Sequence, residues 1–494
     1  MSWLEIQTIM PQIILSAFIV AQLLLIAINR SRKAIFYLTL LAIASCLTSY
    51  SMVLDTINTQ ATILFYFDGF SLGINAILLF CGLIITLLSY RYLKSALEVH
   101  DEFYVLLLLV LLGATLLAIS NHFASVFLSI ELLSLSLVAM VGYLRRRQQS
   151  LEASFKYLIL SATASSILLL GMAFIYAYSG EMSFYFISQK TAAAAPQVGH
   201  IWMFSAGCCL LLAGIAFKLS LVPFHYWTPD VYHGAPAPVA MTLATVSKIS
   251  VFAVLLKFWF FSNQYIIDTG AEQHIESLMI NIIAVIAIAS MLVGNLLALF
   301  QSNIKRLMAY SSIAHMGYLL IVLYVQNQSS MQLAWESALF YLFVYALATL
   351  VVFSFISQTS NAQHPSDNDN WHNWQGLFWR NRLQASTLIA AFLSLAGVPL
   401  TAGFIGKFYL VATAVDNHAW ALLIALVVGS SISLFYYLKV IFIMFSKRPS
   451  QHELPLSGIS HAVLIFLAIN IIVFGVLPDL ISEHVRLVAL SHFG

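Results

Sequence analysis

Between residues 8 and 480 the chain is a succession of apolar runs of about 20 residues, each long enough to cross a hydrocarbon core of roughly 30 Å as one helix. No soluble domain interrupts them. The expected spans are 8–28, 34–54, 71–90, 104–120, 122–144, 154–178, 201–222, 237–261, 278–300, 307–325, 331–356, 384–411, 419–445 and 460–480, fourteen in all. With 61% hydrophobic and 9% charged residues, and a mean hydropathy of +0.91, the composition excludes a soluble globular protein. The reading is an all-α polytopic fold, a single membrane domain over 1–494.

The opening MSWLEIQ has no positive charge, and the basic cluster NRSRK follows the first apolar run instead of preceding it. The first span is therefore expected to stay in place rather than leave as a signal peptide. Cys46, Cys81, Cys208 and Cys209 all lie inside apolar runs without C-x-x-C spacing, so neither an iron–sulfur ligand set nor a disulfide framework is indicated.

Orientation follows from the 22 lysines and arginines. Taking alternate loops, one side holds Arg30, Arg32, Lys33, Arg91, Lys94, Arg145, Arg146, Arg147, Lys305, Arg306, Arg380, Arg382, Lys447 and Arg448. The other holds Lys190 and Arg486. The asymmetry places the basic loops in the cytoplasm and both termini outside. The polar connector SQTSNAQHPSDNDNWHNW, 357–374, is expected to be flexible, and no long amphipathic segment marks a docking surface.

Six basic residues fall within the spans: Lys156, Lys218, Lys248, Lys257, Lys407 and Lys439. A charge at the bilayer centre costs at least about 2.5 kcal/mol on insertion scales, so such residues snorkel, pair, or line a hydrated path. Lys439 near a helix end is expected to snorkel, and Lys257, on the opposite helical face from Lys248, to anchor at the interface. Lys156, next to Glu152 and the triple arginine, either snorkels or takes part in function. Lys218, Lys248 and Lys407 lie beyond snorkelling reach and are candidates for function. Glu131 joins them in SIELLSLSLVAM, where a lone carboxylate is neutralised by desolvation unless an ion pair holds it.

Two spans carry breaks. Pro223 follows Lys218 by five residues, with Pro229, Pro236 and Pro238 beyond it, and removes a helical hydrogen bond. Gly397, Pro399, Gly403 and Gly406 interrupt the second, just before Lys407. The phrases LSLVP and LSLAGVP recur at the two breaks, in helices 7 and 12. Five helices separate them, an odd number, so equivalent units would run in opposite directions. The expected units are 104–261 (helices 4–8) and 278–445 (helices 9–13), with helices 1–3 and 14 peripheral.

The segment FKLSLVPFHYWTPDVYHGAPAPVAMTLATVSK, 217–248, resembles the signature of the antiporter-like membrane subunits of respiratory complex I, NADH:quinone oxidoreductase. FDGFSL, SIELLSLSLVAM, IKRLMAYSSIAHMGY and LSLAGVPLTAGFIGKFYL are similar to other stretches of that family, so the resemblance spans most of the chain. It implies fourteen helices in inverted five-helix repeats, with the seventh and twelfth discontinuous. It implies that Glu131 and Lys218 form a coupling pair, that Lys248 is the central proton relay, and that Lys407 is the relay beside the outward path. Lys156 matches an additional family lysine. His315 is open between a core histidine and a relay member.

The resemblance also implies other membrane-arm subunits as partners, antiporter-like ones among them, in a bacterial inner membrane. NADH, FMN, iron–sulfur clusters and quinone would belong to partner subunits, with no cofactor in this chain and no nucleic acid bound. The implied activity is proton translocation driven by redox chemistry elsewhere in the complex. Alternatives are a subunit of a multi-subunit cation/proton antiporter or of a membrane-bound hydrogenase, and a purely structural subunit.

Overall fold

Lipid cannot satisfy backbone polar groups, so the apolar runs close their hydrogen bonds internally as helices. The computed structural model describes residues 3–53, 59–95, 101–184, 186–187, 201–269, 273–325, 328–364, 366–446 and 458–490. Lys190, Lys447 and Arg448 lie outside the described residues. Short helices aside, the elements begin with α1 (Met10–Ile28) and α2 (Arg32–Val53), followed by the antiparallel hairpin of β1 (Thr59–Thr62) and β2 (Phe65–Phe67). Next come α3 (Gly69–Lys94), α4 (Glu102–Ala118), α5 (Phe123–Val141) and α6 (Gln148–Ser179). The middle of the chain forms α7 (Ile201–Leu219), α8 (Trp227–Gly234), α9 (Ala237–Thr242) and α10 (Lys248–Thr269). The remainder is α11 (Gln273–Leu299), α12 (Ile304–Leu319), α13 (Gln328–Thr359), α14 (Arg382–Ala396), α15 (Ala402–Asp416), α16 (Trp420–Phe445), α17 (Gly458–Val476) and α18 (Asp479–Leu490).

Among the described residues eleven helices are long and apolar enough to cross a membrane, or twelve if the bent pair α17 and α18 counts as one. The fourteen expected spans also took in α4 and α14, apolar helices of 17 and 15 residues. Burial separates centre from periphery. The span Ala237–Phe261 is wholly buried and that of α13 is 94% buried, whereas α1 buries 33% of its span and leaves the rest as an apolar outer face.

Three sequence expectations change here. The 357–374 connector is not a loose strap: Asp367 is buried within it and accepts from Arg147 Nη1 at 2.8 Å, from Lys305 Nζ at 2.5 Å and from the Tyr92 hydroxyl at 2.7 Å. Burial would raise this carboxyl, but Lys305 and Arg147 beside it hold it below the usual aspartate value. The hydrophobic count missed this because one carboxylate, compensated by two cations, ties the end of α3 and the starts of α6 and α12 to the connector. Those ends therefore share one face of the molecule, as the alternate-loop reading of the charges requires.

Lys257 is not an interface anchor. Its side chain is wholly buried, 3.3 Å from the equally buried Asp68, and also donates to Ser71 Oγ at 2.7 Å and Ala118 O at 3.2 Å. Asp68 caps α3 through the Ser71 amide, so the pair fastens α10 to the hairpin side of α3 and the end of α4. Finally, the last span does not continue through residue 480: Pro478 cannot extend the helix, which ends at Val476 and turns by 80° into the amphipathic α18.

Candidate functional site

The two helix breaks are built in the same way. α7 ends at Leu219, where Ser220 takes left-handed backbone (φ 63°) and Pro223 brings no amide hydrogen. α14 ends at Ala396, where Gly397 turns the chain at φ 80° and Leu400 holds φ 72° before α15 begins. Each break frees carbonyls that lipid cannot satisfy. Lys248 Nζ donates to Leu219 O at 3.3 Å, and Lys407 Nζ donates to Ala396 O at 2.8 Å. In both cases a buried ammonium takes the carbonyl of the last residue before the break. Trp227 Nε1 donates to Phe217 O at 3.0 Å, a carbonyl that also receives the Ser220 amide.

Lys218 and Lys248 have hydroxyls around them, whereas buried Lys257 and Lys305 face carboxylates. Lys218 Nζ donates to Ser134 Oγ and Ser161 Oγ, both at 2.7 Å. Ser134 lies three residues after Glu131 on α5, on the same helical face. Glu131 itself makes no direct ion pair with Lys218: one carboxylate oxygen is buried without a hydrogen-bond partner, and its charge reaches Lys218 and Tyr157 through space. Lys248 is wholly buried and donates to Ser312 Oγ at 2.8 Å, with the Tyr232 ring at 5.9 Å. Just before it, Leu243–Ser247 forms a π-helical turn, a local widening that nothing in the residue pattern announced.

Ser312 and His315 are three residues apart on α12, so the helix carries the polar contacts onward. His315 Nδ1 is hydrogen-bonded to the Tyr341 hydroxyl at 2.6 Å, and Tyr437 lies between His315 Nε2 and Ser311. His315, Tyr341, Ser394 and Lys407 then line a cavity with about 10 Å³ for water centres, roughly the space of one water. Lys218, Lys248, His315 and Lys407 thus fall into one buried polar row: Leu219, next to Lys218, gives its carbonyl to Lys248, and Ser312 and Tyr341, which the sequence reading did not single out, carry the contacts on toward His315 and Lys407. The spacing of Ser312 and His315 in AYSSIAHMGY carried that signal.

Lys156 lies outside the row. It is 43% exposed and bridges Glu152 at 2.7 Å and Asp230 at 3.2 Å, while Asp230 also receives Arg306 Nη1 at 2.8 Å. Lys439 sits over the Trp371 ring at 4.4 Å. Chemically, the row can hold and pass protons: amines, an imidazole, hydroxyls and a water-sized cavity lie in an otherwise apolar interior.

Residues 120–433 match the family model described as NADH:quinone oxidoreductase/Mrp antiporter, transmembrane. Among solved structures the chain is similar to one from respiratory complex I of Thermus thermophilus with bound aureothin, at 32% identity and TM-score 0.79, covering 96% of this chain and 98% of that one. It shares its fold with a chain of an archaeal membrane-bound sulfane sulfur reductase (22% identity, TM-score 0.83, 99% and 97% covered). It shares it also with a chain of the Mrp complex from Dietzia sp. DQ12-45-1b (18% identity, TM-score 0.80, 99% and 97% covered). A matched region of this extent, over a fold held in common along nearly the whole chain, makes this protein a member of the antiporter-like membrane-subunit family of NADH:quinone oxidoreductases and Mrp antiporters.

Proposed function

We propose that the chain is subunit N of a bacterial NADH:quinone oxidoreductase and carries protons through the buried row while redox chemistry proceeds in partner subunits. The observation that carries the reading is the row itself: Lys218, Lys248, His315 and Lys407 buried in sequence, with Lys248 and Lys407 each on the terminal carbonyl of a broken helix. Within the family, the WTPDVYHGAPAPV wording and a lysine at position 407 favour subunit N. NADH, FMN, iron–sulfur clusters and quinone belong to the partners, and this chain needs no cofactor for its part. Both termini face the periplasm, and units 104–261 and 278–445 form the inverted repeats.

Burial disfavours an ammonium and a nearby carboxylate favours it. Glu131 acts on Lys218 through space, so a movement of α5 against α7 changes how tightly Lys218 holds its proton, with Ser134 and Ser161 as local acceptors. A released proton passes to Lys248 and, through Ser312, His315 and the small cavity, to Lys407. Moving one charge against 100 mV costs about 2.3 kcal/mol, a sum within reach of such a rearrangement.

The family model also covers Mrp antiporters, which keeps a cation/proton antiporter subunit as the second reading. Inverted membrane vesicles from cells with the gene deleted and restored separate the two. Loss of only the NADH-driven pH gradient supports the oxidoreductase reading. A persisting NADH signal with loss of sodium-driven exchange overturns it.

A further inference from the structure

Beyond Lys407 the row runs into an apolar barrier. Phe340 and Ala402 are fully buried and Val344 nearly so; together they form a small hydrophobic cluster separate from the main core, with Phe343, Ile405, Tyr409, Phe474 and Ile481 packed on it. The Phe340 and Tyr409 rings meet at 5.3 Å. One side of the cluster faces the Lys407 cavity, which Val344 lines. The other faces a polar cavity of about 450 Å³, lined by Tyr409, Glu336, Asp479 and Arg486 among others.

The two cavities are close in the fold. Glu336 and Tyr341 are five residues apart on α13, roughly 7.5 Å along a helix axis, and Lys407 and Tyr409 are two apart on α15. Ser337 donates to Tyr409 O at 3.3 Å and is hydrogen-bonded to Thr413 at 2.8 Å, which pins α13 to α15 beside the larger cavity. The amphipathic α18 supplies Asp479, Ser482, Glu483 and Arg486 to its wall. A water column from the small cavity to the large one would have to pass the Phe340 and Tyr409 rings.

We infer that Phe340 and Tyr409 form a hydrophobic seal between Lys407 and an outward-facing polar vestibule roofed by α18, so that a proton leaves only when the rings part and water bridges the gap. Apolar constrictions close a path by excluding water, without any charged group. The seal deepens the proton-carrying reading and rests on it for its purpose. Phe340 is a positioning residue: its ring packs on Tyr409 within the apolar cluster, and its effect is on water.

The test uses the assembled complex in membranes, with Cys208 and Cys209 replaced by alanine. Glu336→Cys and Val344→Cys report on the two sides of the seal through a membrane-impermeant methanethiosulfonate added from the vestibule side. Glu336→Cys is expected to react readily and Val344→Cys slowly. Adding Phe340→Ala should speed Val344→Cys by at least about tenfold and open an NADH-independent proton leak, and Phe340→Leu should restore both. Equal reactivity of Val344→Cys with and without Phe340 overturns the seal, as does failure of Phe340→Ala to expose it while Glu336→Cys still reacts. Lys407→Met tests the underlying reading separately: normal NADH-driven pumping in that variant removes the relay and leaves the labelling result standing.

Discussion

A lysine wholly buried in a membrane protein has no bulk water to which it can release a proton, so its neighbours decide what it can do. Lys257 and Lys248 lie nine residues apart on one helix and have opposite surroundings. Lys257 faces a buried aspartate; Lys248 faces a serine hydroxyl and a freed carbonyl. Removing one partner of a buried ion pair costs about 3–5 kcal/mol because the other charge is stranded. Lys257→Met should therefore lower the thermal stability or the assembled amount of the protein, with recovery in the double variant that adds Asp68→Asn. Lys218→Met should leave assembly intact and lower NADH-driven proton translocation per assembled complex more than Lys257→Met does; equal losses in the two would remove the distinction between relay and pin. Glu131→Gln should likewise assemble and lose coupled activity, and normal pumping would reduce Glu131 to a structural part. The lysines themselves were legible, since a charge within an apolar run stands out. Their partners were harder to read: Asp68 lies 189 positions before Lys257, and among the serines only Ser312, three residues before His315, carried a signal.

At the scale of elements, proline and glycine made both helix breaks legible, and the structure adds what each freed carbonyl does. The second break also depends on a close approach: a Cβ at Gly403 would stand 1.7 Å from Ser394 O, whose residue's hydroxyl receives the Gly403 amide. Gly403→Ala must push α15 away from α14 and with it the wall of the Lys407 cavity. It should cost folded protein or pumping even though the residue carries no chemistry, and wild-type behaviour would mean the break tolerates separation. The 357–374 connector was misread for the opposite reason. Its polar composition suits a solvated loop, and only the fold shows Arg147, Lys305 and Tyr92 converging on Asp367. A carboxyl held below its usual value contributes stability above the unfolded aspartate value, near 3.8, and loses it as the pH falls through the lowered one. Asp367→Asn strands two cations at any pH, so its melting temperature should fall below that of the unmodified protein at neutral pH, and the gap should narrow only in strong acid.

At the scale of the whole molecule, the two buried ion-pair sites described above lie at opposite ends of the bundle and the row of Lys218, Lys248, His315 and Lys407 runs between them. Asp367 fastens one face and Asp68 with Lys257 the other, each drawing on helices from distant parts of the chain. The interior between these fastenings has many hydroxyls and few paired charges, so Ser134, Ser161, Ser312 and Tyr341 can exchange partners without stranding an ion. If the lysines act in series along one route, losing any of them blocks the same flow, and their effects cannot multiply. Combining Lys218→Met, Lys248→Met and Lys407→Met should therefore cost NADH-driven proton translocation no more than the most damaging single variant, measured per assembled complex in inverted vesicles. Some translocation should persist, carried by the other antiporter-like subunits proposed as partners. Losses that multiply would mean three independent contributions and no common row, and a triple variant that pumps normally would leave the chain a structural subunit.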